Sequence, residues 1–132
     1  MIRRGASSMK MSKLETAIRV VIDFNKAFNG HDVPAMIGLV SDDCVFENPD
    51  PFAKAELYKG REELARFGER FFVLHPQATF EIDEIFGFSI HCVMRWSLDS
   101  EEIPGVRHRF QGVDLFQIKN ALICEKLTYV KK

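Results

Sequence analysis

The stretch Phe110-Gln-Gly-Val-Asp-Leu-Phe-Gln-Ile118 is the most informative part of the chain for both fold and function. Its side chains follow the two-residue period of a β-strand. The alternation predicts one face made of Phe110, Gly112, Asp114, Phe116 and Ile118. Asp114 therefore falls on the apolar side, where an ionised carboxylate is costly to bury without partners. We expect Asp114 either to belong to a buried hydrogen-bond network or to face a ligand cavity.

The residues around this stretch predict a run of antiparallel strands. We expect strands over residues 78–86, 88–98, 106–118 and 121–130, with a turn or bulge at Gly87, a hairpin loop over 99–105 and a tight turn at 119–120. Pairing of 88–98 with 106–118 places Cys92, Met94 and Trp96 on the face of Asp114. Trp96 is therefore a candidate N–H donor to Asp114 or to a ligand, and its alternative role is core packing.

Three helices are predicted before and among the first strands. Residues 13–29 have a helical apolar stripe, a capping box at Ser12 and Glu15, and a stop at Asn29-Gly30, where both residues tolerate a left-handed C-cap. Asp32 caps a short second helix. A turn over 41–43, a strand over 44–47 and an irregular loop over 52–59 lead to a third helix over 61–74.

This element order predicts an α+β fold in which three N-terminal helices pack on a strongly curved, mainly antiparallel sheet. Such a cone can enclose an apolar cavity between its two layers. The 132 residues fit a single domain over 13–132, preceded by a disordered leader or tag-like extension over 1–12.

Composition excludes several classes of partner. The net charge is −1 without a basic run, so we expect neither nucleic-acid nor membrane binding. The three cysteines form no Cys-x-x-Cys motif, which favours reduced, buried thiols and a cytoplasmic location. The four histidines lack metal-ligand spacing, and we expect no metal and no cofactor.

Twelve phenylalanines predict a strongly apolar pocket. The candidate lining residues are Phe24, Phe28, Phe46, Phe67, Phe71, Trp96 and Phe110. Tyr58 is expected near the cavity mouth as a donor to a carbonyl oxygen, or as a cap on the core. Asn48 is a second candidate donor, although Asn-Pro is also a common turn.

Several segments occur in an order that resembles a known superfamily. They are residues 27–36, 40–49, 58–64, 108–118 and 123–127. Together they resemble the NTF2-like superfamily, and in particular its SnoaL-like branch, which includes polyketide cyclases. The resemblance covers roughly residues 13–130. It implies the cone fold and a homodimer through the sheet face, but no single function, because this superfamily hosts isomerases, cyclases, hydrolases, dehydratases and proteins without a reaction.

Position-by-position comparison with that superfamily disfavours one chemistry and favours another. The resemblance places Asn48, Phe24 and Gln111 at or near the three catalytic positions of ketosteroid isomerases, so that mechanism is disfavoured. The SnoaL-like cyclases use an aspartate on a late strand as acid and base, and Asp114 is the matching residue here.

The functional hypothesis is a pocket for a small hydrophobic carbonyl-type molecule. A cofactor-independent isomerase or cyclase would use Asp114 to move a proton beside the carbonyl, while Tyr58, Trp96 or Asn48 stabilises the oxyanion. The alternative is a non-catalytic small-molecule-binding or dimerisation domain in which Asp114 is structural.

Overall fold

Residues 12–48 and 56–131 are described in the computed structural model, apart from the side chain of Glu102. Most of the predicted leader and the first part of the predicted loop, residues 52–55, lie outside these ranges. The helices of the described residues are α1 (Lys13–Asn29), α2 (Val33–Ile37) and α3 (Gly60–Leu74). The strands are β1 (Val40–Glu47), β2 (Leu57–Lys59), β3 (Thr79–Phe88), β4 (His91–Ile103), β5 (Val106–Lys119) and β6 (Leu122–Lys131).

The six strands form one curved sheet in the order β2-β1-β6-β5-β4-β3, and the predicted α+β class is confirmed. Strands β1 and β6 pair in parallel, and the other neighbouring pairs are antiparallel. The predicted register of β4 and β5 is correct, because Met94 lies opposite Asp114 and Trp96 lies opposite Gly112. We call the sheet face that carries these four residues and packs against α1 the inner face, and the opposite one the outer face.

Helix α1 begins as its sequence predicts and ends slightly differently. Ser12 and Glu15 form the capping box, each accepting a hydrogen bond from the other's backbone N–H. The prediction of a left-handed cap at Asn29-Gly30 was wrong, because Gly30 has a φ of −84°. Its N–H still donates to the carbonyl of Lys26, and the chain reverses one residue later, at His31, with a φ of 55°. The apolar stripe of α1 is buried against the sheet.

Two asparagines of α1 join the helix to strand β3. The side-chain amide of Asn29 donates to the carbonyl of Phe80 at 2.8 Å, and its oxygen accepts from the N–H of Phe80 at 2.9 Å. Asn25 donates to the same carbonyl at 3.2 Å. Strand β3 is an edge strand, so these backbone groups have no strand neighbour on that side. The bonds hold α1 at a fixed position above the inner face.

Strand β1 is longer than the sequence predicts, and it pairs with a strand, β2, that the sequence does not predict. The predicted turn over residues 41–43 belongs to β1, and the predicted irregular loop includes β2, in which Tyr58 lies opposite Phe46. Serine and aspartate are typical of turns. Pairing of β1 with β6 on one side and β2 on the other outweighs that local preference here.

Two of the hairpin turns also differ from the prediction. The predicted loop over 99–105 was wrong, because β4 and β5 continue until Ile103 pairs with Val106, and Gly105 with a φ of 84° makes the turn. Gly87 lies inside β3, and the turn follows at residues 89–90. A Cβ at Gly87 would collide with the His91 carbonyl, so glycine permits the close approach of β4.

The described helices include none that is long and apolar enough to cross a membrane.

Candidate functional site

Asp114 lies in the middle of the inner face, and both of its carboxylate oxygens have partners. The side chain is almost completely buried, with 2 % of the residue exposed. The indole Nε1 of Trp96 donates to Oδ1 at 2.9 Å. The Nζ atom of Lys126 lies 3.7 Å from Oδ2. The Trp96 N–H, which was expected to bond either to Asp114 or to a ligand, therefore bonds to Asp114.

Lys126, on β6, is buried beside Asp114 and has three further neighbours. Its Nζ donates to the hydroxyl of Thr128 at 2.6 Å and to the backbone carbonyl of Glu47 at 3.3 Å. It also lies 5.8 Å from the ring centroid of Phe46, a distance at which a cation interacts favourably with an aromatic face. The side chain of Glu47 accepts from the Thr128 N–H at 2.8 Å, so this polar group joins strands β1, β5 and β6.

Burial shifts both partners of the pair toward their neutral forms. Removal from water raises the pKa of Asp114, and the charge of Lys126 and the bonds from Trp96 and Thr128 oppose that rise. Removal from water lowers the pKa of Lys126, against the opposing charges of Asp114 and Glu47. The 3.7 Å separation agrees with these directions, since charge-assisted hydrogen bonds between nitrogen and oxygen are about 2.7–2.9 Å long. The charged forms of both groups are therefore less favoured here than they are in water.

A small cavity lies between α1 and the inner face, directly against this pair. The space open to the centres of water molecules is about 20 Å³, which is enough for about one water molecule. Apart from the buried pair and Asn25, its wall is apolar. The residues that line it are Val21, Phe24, Asn25, Phe28, Phe80, Met94, Asp114, Phe116 and Lys126. A larger ligand would have to displace aromatic side chains of the wall.

Two of the seven residues predicted to line the pocket are on this wall, namely Phe24 and Phe28. Trp96 lies behind Asp114 and packs edge-on against Phe80, with ring centroids 4.9 Å apart. The other four lie nearby but outside the wall. Phe46 contacts Phe24 and Lys126, Phe67 and Phe71 pack together on α3, and Phe110 stacks on His108 near the hairpin end of β5.

The two other predicted oxyanion donors lie away from the cavity wall. Asn48 donates to the hydroxyl of Tyr58 at 3.5 Å, and the Tyr58 ring packs against Phe67 with centroids 4.6 Å apart. Tyr58, which belongs to β2, is buried in the core with its ring facing α3. Lys126 is thus the basic residue on the cavity wall among the described residues. In the same part of the chain, no three His, Cys, Asp or Glu side chains are close enough to hold a metal ion.

The model of the SnoaL-like domain family matches residues 21–126, which include every element that contributes to the cavity. The chain belongs to the SnoaL-like domain family. Searching curated proteins gives no match for this SnoaL-like domain.

Solved structures confirm the fold of this SnoaL-like domain. Bal32a, from a soil-derived mobile gene cassette, is 16% identical with a TM-score of 0.81, over 92% of this chain and 93% of its own. A putative ketosteroid isomerase from Kribbella flavida is 15% identical with a TM-score of 0.77, over 93% and 83%. A putative SnoaL-like polyketide cyclase from Jannaschia sp. is 11% identical with a TM-score of 0.78, over 92% and 90%. At these identities the likeness concerns the fold alone.

Sequence reasoning missed Lys126, although it is the nearest charged partner of Asp114. The turn pairs Lys119 with Leu122, and a regular ladder from that turn would place Leu127 opposite Asp114. Instead the register shifts after Ile118, and Thr128 lies opposite Asp114. The extra residue of this bulge is Cys124, whose thiol contacts the Gln117 carbonyl. The shift turns Lys126 of the SnoaL-like domain inward.

Proposed function

We propose that this SnoaL-like domain binds a small, mainly apolar carbonyl compound in the cavity beneath α1, and that Asp114 transfers a proton at the carbon beside the carbonyl. The observation that carries the proposal is a buried carboxyl group on the wall of an otherwise apolar cavity. Perturbed ionisable groups in concave apolar sites are common in catalytic centres.

The environment of Asp114 suits both halves of such a proton transfer. The raised pKa brings the carboxyl group closer to neutral pH, where one group can accept a proton and return it. As a base, Asp114 takes the proton from the carbon, and the electron pair moves to the carbonyl oxygen. As an acid, it returns the proton to a different carbon in an isomerisation. In a cyclisation, the carbon instead attacks a second carbonyl carbon of the same molecule, the π pair of that carbonyl moves to its oxygen, and this oxygen takes the proton from Asp114.

The developing oxyanion needs a partner on the cavity wall. Lys126 is the residue best placed for that role, because Tyr58 and Asn48 lie elsewhere and the Trp96 N–H already bonds to Asp114. A cation beside developing negative charge in a water-poor site contributes strongly to such reactions. The putative polyketide cyclase from Jannaschia sp. supports the reaction class through its shared fold.

Isotope exchange tests this proposal directly. Small ketones such as acetone and cyclopentanone are incubated with the protein in deuterated water, and loss of their α-protons is followed by NMR. We expect Asp114→Asn to bind the ketone but to lower the exchange rate by about a hundredfold or more. Asp99→Asn, which changes an exposed carboxylate on the same sheet, is the matched control and should leave the rate unchanged. Equal rates for the wild type and Asp114→Asn would refute the catalytic role.

The same cavity also supports a non-catalytic alternative. Both oxygens of Asp114 are already occupied, and the open volume is small, as expected for a structural carboxyl group. In that case the domain binds its ligand without turning it over. Exchange at the solvent rate, together with retained ketone binding in the wild type, would favour this reading.

We also propose that the domain forms a homodimer through the outer face. Apolar residues lie in adjacent positions across four strands, where Phe86 pairs with Val93, Val93 with Leu115 and Leu115 with Leu127. Phe86 and Leu115 are 52% and 38% exposed. Exposed apolar rows of this kind are typical of protein interfaces. Sedimentation of the wild type as a dimer, and of Leu115→Arg as a monomer, would support the proposal, and a monomeric wild type would refute it.

The cysteines support a location in the reducing cytoplasm. Cys44, Cys92 and Cys124 are all free, and the first two are buried in the core. Free thiols persist where glutathione and thioredoxin keep them reduced.

A further inference from the structure

We propose that Lys126 is a nucleophile that forms an imine with a small aldehyde or ketone bound in the cavity. The inference rests on the proposed function, since the same cavity must admit a carbonyl compound. It adds a covalent step that neither the family assignment nor the proton transfer requires.

The placement of Lys126 sets it apart from the other lysines. Among the lysines in residues 12–48 and 56–131, Lys126 is the buried one, with 6% of the residue exposed. Lys126 nevertheless lines the cavity, so a small molecule there would lie against its side chain. By contrast, Lys119 on β5 and Lys131 on β6 are both exposed. A buried amine beside an apolar void is the usual setting of imine-forming lysines.

A carboxyl group stands where the reaction needs an acid and a base. Oδ2 of Asp114 lies 3.7 Å from Nζ of Lys126, and the Trp96 indole fixes the other oxygen. Only a neutral amine attacks a carbonyl carbon, and burial lowers the pKa of Lys126. Burial also raises the pKa of Asp114, which leaves that group able to hold the proton. The pair therefore places an amine that is shifted toward its neutral form beside a carboxyl group that is shifted toward its protonated form.

The step balances without any further reactant. The lone pair of Nζ forms a bond to the carbonyl carbon, and the carbonyl π pair moves to oxygen, which takes the Asp114 proton. The resulting carboxylate removes one proton from the nitrogen and passes it to the hydroxyl group. Water leaves, and the nitrogen lone pair forms the C=N bond. The products are an iminium, one water molecule and the Asp114 carboxylate, which is then positioned to remove an α-proton.

Reductive trapping tests the proposal on the full-length protein. Isotope-labelled acetaldehyde, acetone or cyclopentanone is added with sodium cyanoborohydride at about pH 7, where an ordinary alkyl amine in water is almost fully protonated. Peptide mapping by mass spectrometry then compares adduct formation at Lys126, Lys119 and Lys131. We expect labelling at Lys126 to be at least about tenfold faster than at either exposed lysine, because a carbonyl compound bound in the cavity is held beside this side chain. Equal or slower labelling at Lys126 would overturn the proposal.

Two variants separate the imine from general reactivity. Asp114→Asn should slow labelling at Lys126 while leaving Lys131 unchanged, because the acid has been removed. Lys126→Arg keeps a cation but has no amine able to form the imine, and should lose the site-specific adduct. An unchanged adduct pattern in Asp114→Asn would contradict the assigned proton transfer. The comparison within the wild type decides the main question even if either variant folds poorly.

Ligand binding distinguishes failure of this inference from failure of the proposed function. The NMR signals of Val21 and Met94, which line the cavity, report whether the ketone enters. If these signals shift but Lys126 gains no adduct, the imine is refuted and the binding proposal stands. If the signals do not move and no adduct forms, both proposals are refuted.

Discussion

The same strands form both faces of the sheet, but the ionisable pair described on the inner face is buried whereas the ion pairs on the outer face are exposed to solvent. On the inner face, Asp114 and Lys126 are buried side by side, with few polar neighbours. On the outer face, Arg109 donates to both oxygens of Asp99 at 3.0 Å and to Glu81 at 3.1 Å, with about half of its side chain in solvent.

The difference shows where charge has consequences in this fold. Water already stabilises the outer ions, so their pairing adds little to stability. The inner pair has exchanged water for each other and for a few polar groups, so loss of one partner leaves the other buried without its opposite charge. Ionisable groups on opposite faces of the same strand should therefore have very different effects on stability and on chemistry.

Breaking the inner pair should give the largest effect. Lys126→Met leaves Asp114 buried without its cationic partner, and we expect a loss of about 3–5 kcal/mol in the free energy of unfolding near pH 8. The double variant Asp114→Asn with Lys126→Met should recover much of that loss, because neither group then needs compensation. Urea unfolding measures all three proteins. Strict additivity of the two single effects would contradict a coupled pair.

Crowding the inner face next to Asp114 should have the second largest effect. A Cβ at Gly112 would collide with the Trp96 ring and lie 2.7 Å from the Tyr129 carbonyl. We expect Gly112→Ala to lower stability by about 1–3 kcal/mol and to displace the indole from Asp114. Gly105→Ala is a useful contrast, since its Cβ would meet no atom and only its φ of 84° opposes the change. Urea unfolding and the indole N–H resonance of Trp96 report both effects.

The two members of the inner pair should have opposite effects on the pH dependence of stability. Because burial raises the pKa of Asp114 from 3.8, the folded chain holds this proton more tightly than the unfolded chain does. Because burial lowers the pKa of Lys126 from 10.5, the folded chain holds that proton less tightly. In the wild type the two differences act on stability in opposite directions. In Lys126→Met only the aspartate difference remains, so stability should fall as pH rises. In Asp114→Asn stability should rise with pH, and each slope is at most about 1.4 kcal/mol per pH unit.

Urea unfolding at several pH values checks these slopes. Opposite slopes for the two variants and a flatter wild type are the expected result. Slopes of the same sign would show that other groups dominate the titration.

Removing the outer network should have the smallest effect. We expect Arg109→Ala to lower stability only slightly, and high salt should reduce the effect further. The same unfolding assay with and without added salt measures it. A loss as large as that of Lys126→Met would mean that the two faces do not differ in the way described.

Strong periodicity made much of the fold predictable from sequence. The capping box and Asn29-Gly30 predicted the first and last residues of α1, although not the backbone conformation of its C-cap. The alternation of β5 predicted that Asp114 lies on the inner face. Pairing of β4 with β5 then predicted the meeting of Trp96 with Asp114. The start of β1 and all of β2 were missed, because their strand conformation depends on neighbours distant in sequence.

The second half of the inner pair was not predictable by the same reasoning. Alternation assigns a face only while the register is regular, and the bulge at Cys124 shifts it by one residue. No glycine or proline marks that position. Similarly, the cavity wall depends on how α1 sits over the sheet, which two asparagine side chains fix through contacts more than fifty residues away.

The carboxamide of Asn29 also has a consequence for solubility. An unpaired edge such as β3 invites strands of other molecules to add to the sheet, the first step of many forms of aggregation. At Phe80 the Asn29 side chain occupies the place of a seventh strand, because it satisfies one donor and one acceptor as a peptide group would. The bonds that seat the helix over the cavity thereby also protect that part of the edge from intermolecular pairing.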